Sequence, residues 1–131
     1  MSEDFNHASD AKVNMDNWLK TLSTKDPEQV AVLYTEDATF LPTVSGDFKR
    51  GQEGAKDYFV HFLAKNPSGE VVDEVVTPIN ENSYLHSGMY NFELDSEDGR
   101  VVVKARFTYL WLKDESGAWK ISHHHSSMRP E

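Results

Sequence analysis

The spacing of the apolar residues changes once along this chain, near residue 69. Before that point they recur every three or four residues, as at Ala11, Met15, Trp18 and Leu22, which is typical of an amphipathic helix. After it, apolar and polar residues alternate, and turn residues separate four extended segments. These predicted strands are 70–79, 83–95, 100–113 and 118–127. Helices followed by a meander of strands predict an α+β fold, three helices packed on an antiparallel sheet.

Cap residues place the predicted helices. The first helix begins after Ser9 or Asp10, either of which is a suitable N-cap. The second has Asp26 as its N-cap and Pro27 at its first position. The third helix has one apolar face, which is formed by Ala55, Tyr58, Phe59, Phe62 and Leu63.

The chain has the length of one domain. Its 131 residues can bury a core without disulfides, and none can form because there is no cysteine. We expect a flexible leader over 1–8 and a single domain over 9–131. Between the second and third helices, a short strand over 39–41 and a loop over 43–51 are predicted.

The net charge of −9 argues against some classes of partner. With 13 Lys and Arg against 22 Asp and Glu, the chain lacks the basic surface that nucleic acids or anionic lipids require. No apolar run approaches the ~20 residues that cross a bilayer. We therefore expect a soluble, cytoplasmic protein without nucleic-acid or membrane partners, and no residue pattern suggests a cofactor.

The two hairpins can be aligned on paper. An even-length turn over 114–117 places Arg106 opposite His125 and Thr108 opposite His123, all on one face because side chains alternate in a strand. The turn over 96–99 adds Asn91 to that face. We expect this face to point toward the helices and to form the polar end of a pocket. The predicted pocket residues are Arg106, His123, His125, Thr108, Asn91 and, from the third helix, Tyr58.

Several roles are open for these side chains. Arg106 could clamp an anion, since a guanidinium matches a carboxylate, or it could form an internal salt bridge to Asp37 or Glu36. His123 and His125 could bind a small carboxylic acid, act as a general acid or base, or make structural hydrogen bonds. A metal site would need a third ligand, and none is apparent.

The opposite face of the predicted sheet is aromatic. A monomer that left such a surface in water would be unusual, so we expect another subunit to cover it and a homodimer at least. The leader or the curvature of the sheet could cover part of it instead. The predicted interface residues are Phe107, Tyr109, Trp111, Tyr90, Phe92 and His124.

Three segments in order carry a family resemblance: LYTEDATFLPTVSGDFKRG, YFVHFLAKNPSGE and ARFTYLW…SGAWKISHHHSS. Over roughly 10–129 the chain resembles bacterial relatives of the association domain of calcium/calmodulin-dependent protein kinase II, in the nuclear transport factor 2-like (SnoaL-like) superfamily. The resemblance implies a cone-shaped α+β fold whose strongly bent antiparallel sheet wraps around the first helix, with a cavity between the sheet and the helices. It also implies a homodimer or larger ring built through the outer sheet face. The motifs of a kinase catalytic domain are absent.

Three functions are compatible with the sequence. The first is an oligomeric, non-kinase domain that binds a small anionic or polar organic molecule such as a carboxylate. The second is an enzyme of the isomerase, cyclase or dehydratase type with His123 or His125 as its base. The third is a purely structural oligomerisation module. The sequence assigns no catalytic residue and no metal ligand.

Overall fold

A computed structural model describes residues 6–43 and 45–130 of the chain. Its helices are α1 (Ala8–Leu22), α2 (Pro27–Ala31) and α3 (Gly51–Leu63). Its strands are β1 (Tyr34–Leu41), β2 (Lys49–Arg50), β3 (Ser68–Asn80), β4 (Ser83–Ser96), β5 (Gly99–Lys113) and β6 (Trp119–Met128). The predicted α+β fold, with its helices ahead of the long strands, is confirmed.

The start of α2 agrees with the predicted cap, whereas the start of α1 does not. The Asp26 side chain accepts a hydrogen bond from the Glu28 N–H at 3.0 Å, so the predicted cap of α2 is confirmed. Helix α1 begins at Ala8, earlier than predicted, with His7 at its N-cap. The leader was predicted over 1–8; residues 1–5 lie outside the described residues, and His7 is buried.

The six strands form one sheet in the order β2-β1-β6-β5-β4-β3. The pairs from β3 to β6 are antiparallel, as the meander predicted. Strand β1 runs parallel to β6, so the sheet as a whole is mixed. This parallel pair brings the end of β1 beside the histidines of β6.

The helices pack on one face of the sheet and form the core there. Trp18 of α1 contacts Tyr109 and Phe92, with ring centroids 5.5 and 6.3 Å apart. Phe59 of α3 stacks on Phe40 at 5.7 Å. Because the helices present aromatic and aliphatic side chains, the more apolar face of the sheet covers them and is removed from water.

The predicted orientation of the sheet is therefore wrong. The aromatic face that we expected to meet another subunit is the core face, and its residues are at most 3% exposed. These residues are Tyr90, Phe92, Phe107, Tyr109, Trp111 and His124.

The predicted pocket residues on the sheet do share one face, but that face points away from the helices. Arg106 and His125 are exposed, and Thr108, His123 and Asn91 are half-buried at the sheet surface. We call this side the outer face. It comprises the outward side chains of β3 to β6: Glu70, Asp73, Val75, Thr77, Leu85, Ser87, Met89, Asn91, Lys104, Arg106, Thr108, Leu110, Leu112, Lys120, His123 and His125.

The predicted pairing of β5 with β6 is also wrong, because Thr108 lies opposite His125 and Arg106 lies opposite Ser127. A longer turn and a bulge explain the difference. The last turn spans five residues, because Asp114 N–H bonds to the carbonyl of Ala118, and Trp111 therefore lies opposite Ile121. The register then shifts, so that Leu110 lies opposite His123 and Ser122 is the extra residue. A bulge reverses the alternation beyond it. Ile121 and His123 consequently face opposite sides, although two residues apart.

No helix within the described residues is long and apolar enough to cross a membrane.

Candidate functional site

A buried histidine, His124, lies at the centre of the core face. It is 2% exposed, and its ring lies between two aromatic rings. Tyr109 stacks on it at 3.9 Å between centroids, and Phe40 stacks at 4.6 Å. Trp18 meets the ring edge-on at 5.6 Å. Strand β6 places His124 here because the bulge at Ser122 turns it inward.

Hydrogen bonds with two tyrosines, one a donor and one an acceptor, fix the position of the proton on this ring. Trp18 Nε1–H donates to the Tyr34 hydroxyl at 3.3 Å, which leaves that hydroxyl free to donate to His124 Nδ1 at 2.9 Å. The neutral ring then carries its proton on Nε2, 3.2 Å from the Tyr90 hydroxyl. Each group therefore donates to the next, from Trp18 through Tyr34 and His124 to Tyr90.

The chain of bonds continues to the loop after β1. The Tyr90 hydroxyl donates to Ser126 Oγ at 2.8 Å, and Ser126 shares a short hydrogen bond with Thr43. Thr43 is half-buried. A polar path therefore leads from the centre of the core to a position near solvent.

Burial sets the charge state of this network. Desolvation lowers the pKa of His124 well below 6.5, and the nearby His123 and His125 lower it further. Desolvation likewise raises the pKa of Tyr34, and it raises that of Tyr90 to about 12. The network is accordingly neutral at physiological pH, and its members act as hydrogen-bonding groups.

A small cavity adjoins His124. Its volume is about 10 Å³, roughly the space for one water molecule. Its walls are Trp18, Phe40, Thr43, Tyr58, Phe59, Phe62, Tyr90, Phe92, His124 and Ser126. A second, larger cavity of about 330 Å³ adjoins it, and Tyr58 and Phe62 line both. Tyr58, predicted as a pocket residue, is the one member of that set beside the cavity.

Polar and charged side chains of both signs line the second cavity. Lys49, His61 and Lys65 line it together with Asp47 and Asp57. Lys49 is bound to Asp57 at 2.6 Å, and this bond lowers the pKa of the Asp57 carboxyl.

The other predicted pocket residues lie on the outer face, away from both cavities. His123 Nδ1 is 2.7 Å from Thr39 Oγ1, and Arg106 donates to Ser127 Oγ at 3.2 Å. Among the described residues Arg106 makes no ion pair, so the salt bridge to Asp37 or Glu36 is not formed. Over the same residues, no group of three His, Asp or Glu side chains could hold a metal ion.

Three further buried polar atoms lie on the core face of β4 and β5. His86 Nδ1, the Tyr109 hydroxyl and Trp111 Nε1 find no hydrogen-bond partner in the part of the chain that the structure describes. The other ring nitrogen of His86 bonds to Glu74 at 2.7 Å.

Sequence comparison assigns the family. The calcium/calmodulin dependent protein kinase II association domain family matches residues 8–130. The chain belongs to this family. Among curated proteins, no sequence matches this association domain.

Solved structures agree with the family and with the fold. A candidate calcium/calmodulin dependent protein kinase II association domain from Xanthomonas campestris is 36% identical, covers 93% of this chain and 87% of its own, and superposes with a TM-score of 0.89. The S. rosetta CaMKII hub is 17% identical over 98% and 99% of the two chains, with a TM-score of 0.77. At that identity it shows the fold alone.

The same fold carries other chemistry elsewhere. A candidate dehydratase of the NTF2-like family from Streptomyces avermitilis is 12% identical over 92% of this chain and 95% of its own, with a TM-score of 0.79. The association domain thus has the predicted NTF2-like fold, and this neighbour's name gives no activity to the chain.

Sequence reasoning missed Tyr34, Thr43 and Ser126 as members of the site. Tyr34 was indistinguishable from other aromatic core residues. Ser126 lies two residues after His124, so its inward orientation would have followed once His124 was placed inside. Assigning the aromatic face of β5 to the core would have been sufficient to place His124 and Ser126 inside.

Proposed function

We propose that this association domain pairs with other copies of itself through the outer face of its sheet. The observation that carries the proposal is the row of apolar side chains on that face. Leu85, Met89, Leu110 and Leu112 are only half-buried within one chain, and Val75 is 62% exposed. The described helices all pack on the core face.

The physical reason is the hydrophobic effect. Burying apolar surface contributes roughly 25 cal/mol per Å², and a half-apolar sheet face can bury it against an identical face. Membership of an association-domain family supports the same proposal. The proposal moves the interface from the predicted aromatic face to the opposite face of the sheet, and it retains the predicted homo-oligomer.

The test is to place a charge in the middle of the row. We expect Leu110→Lys to shift the protein toward monomer, because a buried ammonium without a partner opposes association. Sedimentation velocity or light scattering measures the mass in solution. Val13→Lys is the matched control, since Val13 is 63% exposed on α1. Equal masses for wild type, Leu110→Lys and Val13→Lys would contradict the proposal.

Ligand binding beside His124 is a second candidate function. It is favoured by the neutral polar groups that line a cavity between aromatic walls. These groups suit a small, uncharged molecule with a hydroxyl or an amide. A carboxylate is disfavoured there, because no cation among the described residues lines the inner cavity to compensate a buried charge. At about 10 Å³, the cavity does not hold the ring that an isomerase or dehydratase substrate would require unless its walls move.

Thermal-shift titration with small alcohols, amides and carboxylic acids tests this candidate. We expect uncharged ligands to stabilise wild type and Arg106→Ala equally, because Arg106 lies on the outer face. Ser126→Ala should weaken the response, since it removes a group from the cavity wall. A response to carboxylates that disappears in Arg106→Ala would instead favour the outer face as the ligand site.

A further inference from the structure

Strand β5 extends further than its neighbour β6 and leaves part of one edge of the sheet unpaired. The last aligned pair of the two strands is Ala105 with Met128, and the Arg129 N–H adds one bond to the carbonyl of Lys104 at 2.9 Å. Beyond this bond, residues 99–103 still pair with β4 on their other side. No strand within the described residues pairs with them on the β6 side. We call these residues the open edge.

The open edge presents backbone groups that are available for hydrogen bonds. In an antiparallel strand both backbone groups of a residue point to the same neighbour, and successive residues point to opposite neighbours. The Lys104 carbonyl points toward β6, so the N–H and C=O of Val102 and of Arg100 point the same way, past the end of β6. Val101 and Val103 direct theirs to β4. The side chain of Val102 is also accessible, since the residue is 56% exposed.

The surroundings of this edge are basic. Lys104 and Arg129 line a groove of about 310 Å³ beside it, together with Val102, Val103, Met128 and Pro130. Strands β5 and β6 contain five basic and no acidic residues, although acidic residues outnumber basic ones by 22 to 13 in the chain. Among the described residues, neither Lys104 nor Arg129 forms an ion pair. The groove therefore carries cations that suit an acidic partner.

We infer that the open edge binds an extended acidic segment of another protein, which adds to the sheet as a strand antiparallel to β5 and in line with β6. Strand addition of this kind derives its affinity from main-chain hydrogen bonds and its specificity from alternate side chains. The inference goes beyond the proposed function, because the site lies apart from the middle of the apolar row. Val102 is eight residues from Leu110 along β5, roughly 26 Å at the usual rise per residue of a strand.

The side chains of the edge define which segment fits. Arg100, Val102 and Lys104 lie on one face because side chains alternate in a strand. Acidic residues therefore suit the first and fifth positions of a five-residue segment, and an apolar residue suits the third. The second and fourth positions lie opposite Val103 and Val101 on the other face, where apolar side chains fit. The preferred order is acidic, three apolar, acidic.

A second copy of the same edge is a poorer partner. Antiparallel pairing of two copies about Val102 would place Arg100 of each directly opposite Lys104 of the other, and like charges in that position are destabilising. Charged side chains on edge strands commonly prevent such self-pairing. The same cations attract a segment that carries carboxylates.

Two capped pentapeptides of equal composition test the side-chain order. They are Glu-Val-Val-Val-Glu and Val-Glu-Val-Glu-Val. We expect the first to bind about fivefold more tightly in isothermal titration calorimetry, because only that order places both carboxylates opposite cations while apolar side chains face each other. Equal affinities for the two peptides would overturn the inference.

N-methylation of the first peptide tests the main-chain bonds. A methyl group on the central nitrogen removes the donor to the Val102 carbonyl and should abolish binding. The second and fourth nitrogens point away from β5, so a methyl group there should have at most a small effect. In hydrogen exchange followed by NMR, the peptide should protect the Val102 N–H and leave that of Val101, which points to β4, unchanged. Binding of the centrally methylated peptide with undiminished affinity would contradict strand addition.

Charge reversal in the protein completes the test. Lys104→Glu should weaken binding of Glu-Val-Val-Val-Glu about fivefold or more, because it opposes like charges. The peptide Lys-Val-Val-Val-Glu, whose first residue faces position 104, should bind this variant with restored affinity, which excludes misfolding as the cause. Lys12→Glu makes the same charge change on α1 and should leave binding unchanged. A Val102 N–H that is already protected without peptide would overturn the inference, since another copy or segment would then occupy the edge.

Discussion

His124 has a hydrogen-bond partner on each ring nitrogen, and the bond at Nδ1 requires the neutral ring. A proton added at Nδ1 would have to be donated to the Tyr34 hydroxyl, which already accepts from Trp18 and would lose the acceptor for its own proton. Burial between Phe40 and Tyr109 also opposes the charge. Protonation therefore disrupts the network as well as placing a charge in the core.

This arrangement predicts a loss of stability in mild acid. The folded pKa of His124 lies well below its ordinary value of 6.5, so the unfolded chain binds a proton first as the pH falls. The stabilisation is complete above about pH 6.5 and declines below it, by up to about 1.4 kcal/mol per pH unit. Urea denaturation at several pH values between 7.5 and 5 measures this slope.

His124→Gln is the control, because its side chain cannot titrate. Its stability should fall less steeply over the same range, with a residual slope from His123, whose pKa burial also lowers. Carboxyl groups with lowered pKa values, such as Asp57 and Asp95, lose their contribution only at more acidic pH. Equal slopes for wild type and His124→Gln would show that His124 is not the group that titrates.

At the scale of single elements, β3 and β4 approach so closely that one position requires glycine. A Cβ built on Gly88 would overlap the carbonyl oxygen of Asp73, beside the irregularity where β3 shifts register. We expect Gly88→Ala to lower the free energy of unfolding by about 1–3 kcal/mol, the usual cost of overpacking. Chemical denaturation measures it.

Gly46→Ala is the matched control for this change. A Cβ at Gly46 would meet nothing within 4 Å, so its effect on the free energy of unfolding should be small. If Gly88→Ala were equally neutral, β3 would have room to move away from β4, and the close contact would not be a requirement of the fold.

The elements themselves could be predicted because each depends on local pattern. The Asp26-Pro27 start of α2 and the alternation in β4 and β5 are readable over a few residues, and the structure confirms them. The pairing of β4 with β5 also followed from the Ser96–Gly99 turn, as in the pair of Leu85 with Leu110. Turn length fixes such a register directly.

The site could not be predicted in the same way because it depends on an inserted residue and on a global choice of face. Ser122 has no sequence feature that marks it as a bulge, yet it allows Ile121 and His124 to enter the core together and changes the cross-strand partners of His123 and His125. Which face of the sheet is buried depends on the side chains that the helices present to it. A comparison of Phe107 and Tyr109 with Arg106 and Thr108 would have identified the buried face of the sheet, because the more apolar set is buried.

At the scale of the whole molecule, folding and association are linked if copies pair through the outer face. Anything that binds only the folded chain stabilises it by mass action, and a second copy is such a ligand. The apparent stability must then depend on protein concentration. A chain that folds and functions alone would show no such dependence.

The thermal midpoint should therefore rise with concentration. A tenfold increase in protein adds about 1.4 kcal/mol to the free energy of unfolding a dimer, which shifts the midpoint by roughly 2–6 °C for a molecule of this size. Differential scanning calorimetry over a hundredfold range of concentration measures the shift. In Leu110→Lys the midpoint should be lower and nearly constant, because the charged side chain prevents pairing. A concentration-independent midpoint in the wild type would mean that folding does not depend on association.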